Sequence, residues 1–100
     1  MSKINKISSG KNGQIVYHFD NGVKLSFIWD WGAYSDNHMA RPKDLTNLNN
    51  ETWESTTVEI YSIGDNRNGI EEYLDNKYGG SPAGFVPVGD IPRILLRAAK

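Results

Sequence analysis

Ten consecutive residues, Trp29-Asp30-Trp31-Gly32-Ala33-Tyr34-Ser35-Asp36-Asn37-His38, hold the densest collection of side chains able to recognise another molecule. Rigid aromatic rings beside hydrogen-bonding groups are the material of binding surfaces, because a ring contributes a large contact area at small entropic cost. Trp29, Trp31, Tyr34, Asp36, Asn37 and His38 are therefore the first candidate partner- or ligand-binding residues. The competing expectation is that Trp29 ends the core face of a strand while Trp31 and Tyr34 pin the following loop to the sheet, which would bury all three. Arg67 is a further candidate. A guanidinium suits phosphate, and convergence of Arg67 with Arg93 and Arg97 would make a site for a small anionic ligand such as a nucleotide; otherwise the three are solvated arginines.

Catalytic and metal motifs are absent from the sequence. There is no cysteine and no Gly-x-Ser-x-Gly elbow, and Ser35, Asp36 and His38, being adjacent in the chain, do not have the geometry of a triad. Glu71 and Glu72 point in different directions in a helix or a strand, so they read as solvated charge. His18 and His38 are the two histidines. A cation shared by Asp36, His38 and a distant Glu59 is conceivable, but no ligand spacing marks it, and His18 reads as a strand-surface residue. Gly10-Lys11-Asn12-Gly13 and Gly79-Gly80-Ser81 lack the Gly-Lys-Ser/Thr ending of a phosphate loop and read as turns. The expectation is no metal, no cofactor, and a binding protein rather than an enzyme.

The elements that must position these residues begin with a hairpin. Order begins near Gln14; Ile15 to Phe19 is rich in β-branched and aromatic residues, Asp20-Asn21-Gly22 supplies a turn, and Val23, Leu25, Phe27 and Trp29 then alternate with Lys24 and Ser26. Asn21-Gly22 predicts a type I′ turn, with positive φ at both residues. Residues 30–54 lack periodicity and hold Gly32 and Pro42, so a long connection crosses the surface, with a short helical turn at Asp44 to Asn50 carrying Leu45 and Leu48. Ser55 to Ile63 is a third strand, closed by the turn formers of 64–69. Ile70, Tyr73 and Leu74 fit either a helical face or a short strand. Phe85-Val86-Pro87 is a short edge strand, since proline cannot donate to a ladder. Asp90 as N-cap and Pro92 in the first turn open a C-terminal helix with Ile91, Ile94, Leu95 and Ala98 on its dry side and Arg93, Arg97 and Lys100 on its wet side. The fold class is α+β: a small antiparallel sheet, made of the N-terminal hairpin plus one or two further strands, with a short C-terminal helix packed on it. Residues 1–13 are expected to form a flexible arm and residues 14–100 a single β-rich domain.

One hundred residues is the size of one domain, which buries roughly two-thirds of its unfolded surface. The net charge of −1 argues against generic attraction to nucleic acid or to an anionic membrane. Its distribution is uneven: +3 over residues 1–43, −7 over 44–76 and +3 over 77–100. Either neighbouring elements neutralise one another or the acidic middle faces a partner. No stretch reads as a signal or transmembrane segment, and the lack of cysteine suits a reducing compartment, so the expectation is a cytoplasmic protein. Asn50-Glu51-Thr52 matches a glycosylation acceptor, which matters only in a secreted protein. Open sheet edges leave room for a homo-oligomer.

Phe19-Asp20-Asn21-Gly22, Leu25-Ser26-Phe27-Ile28-Trp29, Gly32-Ala33-Tyr34-Ser35-Asp36-Asn37 and Thr57-Val58-Glu59-Ile60 resemble the pattern of a group of small phage-encoded proteins. The likeness spans residues 14–63, and Gly84-Phe85-Val86 followed by Ile91 to Lys100 extends it. Asp30 and Trp31 stand between the usual aromatic and Gly32. The resemblance implies a phage accessory protein acting on a host defence or replication component in the host cytoplasm, and it assigns no catalytic residues.

Overall fold

Alternation dictates the sheet. Leu25 and Phe27 are buried while Lys24, between them and the turn, is exposed, and the same rhythm recurs at Val58, Ile60 and Ser62 around Glu59 and Tyr61. In the computed structural model, which describes residues 1–10, 12–41, 52–80 and 82–100, the strands are β1 (Ile4–Ser8), β2 (Gln14–Phe19), β3 (Lys24–Ile28), β4 (Thr57–Ser62) and β5 (Ala83–Pro87). They form one antiparallel sheet in sequence order. Helix α1 (Ile70–Tyr78) joins β4 to β5, and α2 (Ile91–Ala98) follows a 3₁₀ turn at Val88–Asp90. The fold is α+β.

Both helices lie on one face of the sheet. Leu25, Phe27, Val58, Ile60 and Val86 meet Ile70 and Leu74 of α1 and Ile94 and Ala98 of α2 in an apolar cluster. Each of the larger side chains contributes about 1.5–3 kcal/mol by leaving water. Tyr17 packs its ring edge on Phe27 at 5.4 Å between centroids. The 70–78 segment, open between helix and strand in the sequence, is helical because Ile70 and Leu74, one turn apart, are both buried in this core.

Three local expectations change. The arm expected over residues 1–13 contains β1, paired to β2 through Lys6 with His18, Ile7 with Tyr17 and Ser8 with Val16. Four of its five residues are exposed, so it has no burial pattern to read, and its Lys6 is typical of a protected edge. The hairpin turn is not type I′: Asn21 does not take positive φ, whereas Gly22 does, at 89°. The Phe19 carbonyl accepts the Gly22 N–H at 3.1 Å and Phe19 N–H donates to Val23 at 2.9 Å, giving a three-residue loop that ends in a left-handed glycine. Asn21 is recruited elsewhere, its amide donating to the carbonyls of Ala98 and Lys100 at 2.9 and 3.2 Å, where it covers the C-terminal end of α2. Asp90 makes no side-chain cap; its carboxylate instead accepts the Tyr78 hydroxyl at 2.9 Å. The helical turn expected at Asp44 to Asn50 and the acceptor motif at Asn50-Glu51 lie outside the described residues. Among the described residues no helix is long and apolar enough to cross a membrane.

Candidate functional site

The strand residues facing away from the helices prepare the site. Because Val58 and Ile60 point into the core, Glu59 between them points to the other face, where its carboxylate accepts the Tyr34 N–H at 3.1 Å. The partner strand is irregular there: the β4–β5 register shifts between Val58 and Ile60, so Gly84 and Phe85 stand opposite Glu59. Such a bulge re-aims a side chain. Phe85 takes φ 54°, a left-handed conformation that is an outlier for a bulky residue and costs on the order of 1–3 kcal/mol. Its N–H donates to the Tyr34 carbonyl at 2.7 Å. Gly84 permits this approach, since a Cβ there would lie 2.9 Å from the Tyr34 Cβ.

Three rings converge on this point. Tyr34 stacks on His38 at 4.9 Å and 27°, and Phe85 lies 6.2 Å from each, tilted against Tyr34 and edge-on to His38. The His38 Nδ1 is 3.3 Å from the Gly32 carbonyl. Tyr34 is 49% exposed, Phe85 53% and the neighbouring Trp31 39%. The rings are therefore held in place and still face solvent.

Polar tethers do the holding. The Asp36 carboxylate accepts from the Thr56 N–H and hydroxyl at 2.7 Å each and from the Thr57 hydroxyl at 2.8 Å. Hydrogen bonds to the charged form, the Thr56 backbone N–H first, hold its pKa below the ordinary 3.8. The tether is thus present above that value and lost as pH falls through the lowered one. The Asn37 amide donates to the Trp29 carbonyl at 2.6 Å and to that of Glu54 at 2.9 Å, bridging the two sides of the long connection. Trp29 packs against the core and its indole N–H donates to the Trp53 carbonyl at 2.9 Å.

The candidate residues thus divide. Trp31, Tyr34 and His38 present surface; Trp29, Asp36 and Asn37 position them; Arg67 is elsewhere. Arg67 follows β4 at the opposite end of β3, beside the hairpin turn, where it is ion-paired to Asp65 at 2.6 Å with its side chain 87% exposed. That pairing lowers the Asp65 pKa and raises that of Arg67. Arg93 and Arg97 line a groove with Tyr73 on the helical side of the sheet, without Arg67. Glu59, considered from sequence only as a distant cation ligand, instead receives the Tyr34 N–H, and Phe85 joins the cluster without having been a candidate; a glycine inside a strand pattern, Gly84, is the signal of a bulge that points to it.

The buried Ser35 uses its hydroxyl to accept the Asn37 N–H at 3.2 Å, and Asp36 is committed to Thr56 and Thr57, so Ser35, Asp36 and His38 do not form a relay. His18, half-buried on β2, bonds the Ser8 hydroxyl at 2.9 Å across to β1. Among the described residues, no group of three or more His, Asp or Glu side chains is placed to hold a metal ion. No protein-family model, curated protein or solved structure matches the chain.

Proposed function

We propose that this protein is a small accessory binding protein that captures a protein partner through the aromatic rim of Trp31, Tyr34, His38 and Phe85. The observation that carries the reading is Phe85, whose backbone is forced to φ 54° while its ring remains half exposed. The Tyr34 carbonyl and the Tyr34 and His38 rings hold that backbone in place, and strained outliers of this kind cluster where proteins bind. Exposed, preorganised aromatics are the residues that dominate protein interfaces. The likeness to small phage-encoded proteins supports a partner class, a defence or replication protein of the host, met in the host cytoplasm.

Affinity capture from the host with Tyr34→Ala or Trp31→Ala tests this. The expected result is loss of capture by about tenfold or more with an unchanged thermal transition. Capture that survives both substitutions overturns the assignment. The second reading, binding of a nucleotide-like anion, needs arginines beside the rings; Arg67, at the other end of the sheet, gives it less support. A thermal-shift series with nucleotides at millimolar concentration tests that reading, and the absence of any shift removes it.

A further inference from the structure

The helical side of the molecule carries a second surface. Arg93 and Arg97, one turn apart on α2, line a groove of about 470 Å³ beside Tyr73 with Lys100 just past the helix and Lys77 of α1. Among the described residues none of the four cations is ion-paired to an acidic side chain. Arg97 is anchored by a 2.6 Å hydrogen bond to the Asn68 carbonyl and lies 5.6 Å above the Tyr73 ring, with Lys77 at 5.8 Å. On the adjoining flank of α2, Leu95 and Ala99 join Ile4 and Phe19 in an apolar trough of about 410 Å³. Leu96, 58% exposed, and Met1 line both.

We propose that these paired troughs are a docking site for a short polypeptide segment with acidic residues on one flank and aliphatic residues on the other. Charge complementarity selects the acidic flank, and the apolar trough beside it selects the aliphatic one. A nucleic-acid backbone or a small anion satisfies the cations and leaves the apolar trough wet. Both troughs are open, so the occupant is held along its length by surface contact, as an amphipathic segment in a groove is. The site is separate from the aromatic rim, on the opposite face of the sheet.

Fluorescence anisotropy of the full chain with a labelled peptide tests the proposal. The peptide places glutamates on one face and leucines on the other over about three helical turns. Saturable binding that weakens with salt is expected, reduced by about tenfold in Arg93→Glu and in Leu96→Asp and unchanged in Tyr34→Ala. Both altered positions are exposed, and a thermal transition verifies each variant; Lys77→Glu replaces Arg93→Glu should that chain not fold. Absence of binding at millimolar peptide overturns the proposal, as does equal binding of polyglutamate. So does a preference for phosphatidylglycerol vesicles over the peptide, or self-association of the protein that Leu96→Asp abolishes.

Discussion

The two faces of the sheet are held by different forces. Toward the helices, Leu25, Phe27, Ile60, Ile70, Leu74 and Ile94 exclude water and are fixed by packing. Away from them, the loop carrying Tyr34 and His38 is fixed by directional bonds from Asp36, Asn37 and Glu59 and by the strained Phe85. Apolar burial is strong and tolerant of direction, whereas a handful of hydrogen bonds near solvent orients side chains while adding little to global stability. One face therefore keeps the protein folded and the other is free to present rings. Variants that move stability and capture independently sharpen this contrast; variants that move both together break it.

The largest effect belongs to the packed face. Phe27→Ala leaves a cavity under Tyr17 and should lower unfolding free energy by about 3–5 kcal/mol in urea titration, a large share of a small domain's stability. Next is Phe85→Gly, which should do the opposite. Relief of the left-handed strain, less the entropy of a glycine, raises stability by about 1 kcal/mol while partner capture is lost. A fall in stability would instead make Phe85 a packing residue and erase the distinction between the faces.

A smaller gain is expected at Ser62, whose hydroxyl is buried opposite Leu25 with no hydrogen-bond partner. Ser62→Ala removes an unsatisfied polar atom and should raise the urea midpoint by an amount worth about 0.5–1 kcal/mol, leaving capture unchanged.

The smallest effect is a pH response on the open face. Partial desolvation, then Lys6 and Lys24, hold the His18 pKa below the ordinary 6.5. Folding thus favours the neutral ring, and its contribution is present above 6.5 and lost as pH falls through the lowered value. Thermal midpoints compared between about pH 7.5 and 5 should fall further for the native chain than for His18→Gln. Equal losses would remove His18 from the account.

Legibility in the sequence follows the same division. The alternation of Val23, Leu25 and Phe27 and the 3.6-residue stripe of α2 were readable because burial on one side imposes a period. β1 was not, since an exposed edge strand imposes none. Asn21-Gly22 marked a turn correctly but not its type, because the Asn21 amide was drawn to the end of α2, 77 residues along the chain. In the candidate site Trp31, Tyr34 and His38 were recognisable by residue type; the first two are exposed and His38 is half-buried. Trp29, Asp36 and Asn37 carry the same chemistry, and only their distant partners Trp53, Thr56 and Glu54 turned them into supports.

What the sequence determined by itself was the α+β class, the hairpin, the C-terminal helix and the segment rich in recognition side chains, each a consequence of local pattern. Tertiary structure alone decided which of those side chains face solvent, that Phe85 joins Tyr34 and His38, and that Arg67 stands apart. The reason is physical: periodicity records which side of an element is dry, whereas the register of β4 against β5 and the long-range hydrogen bonds of the loop depend on residues brought together only by folding.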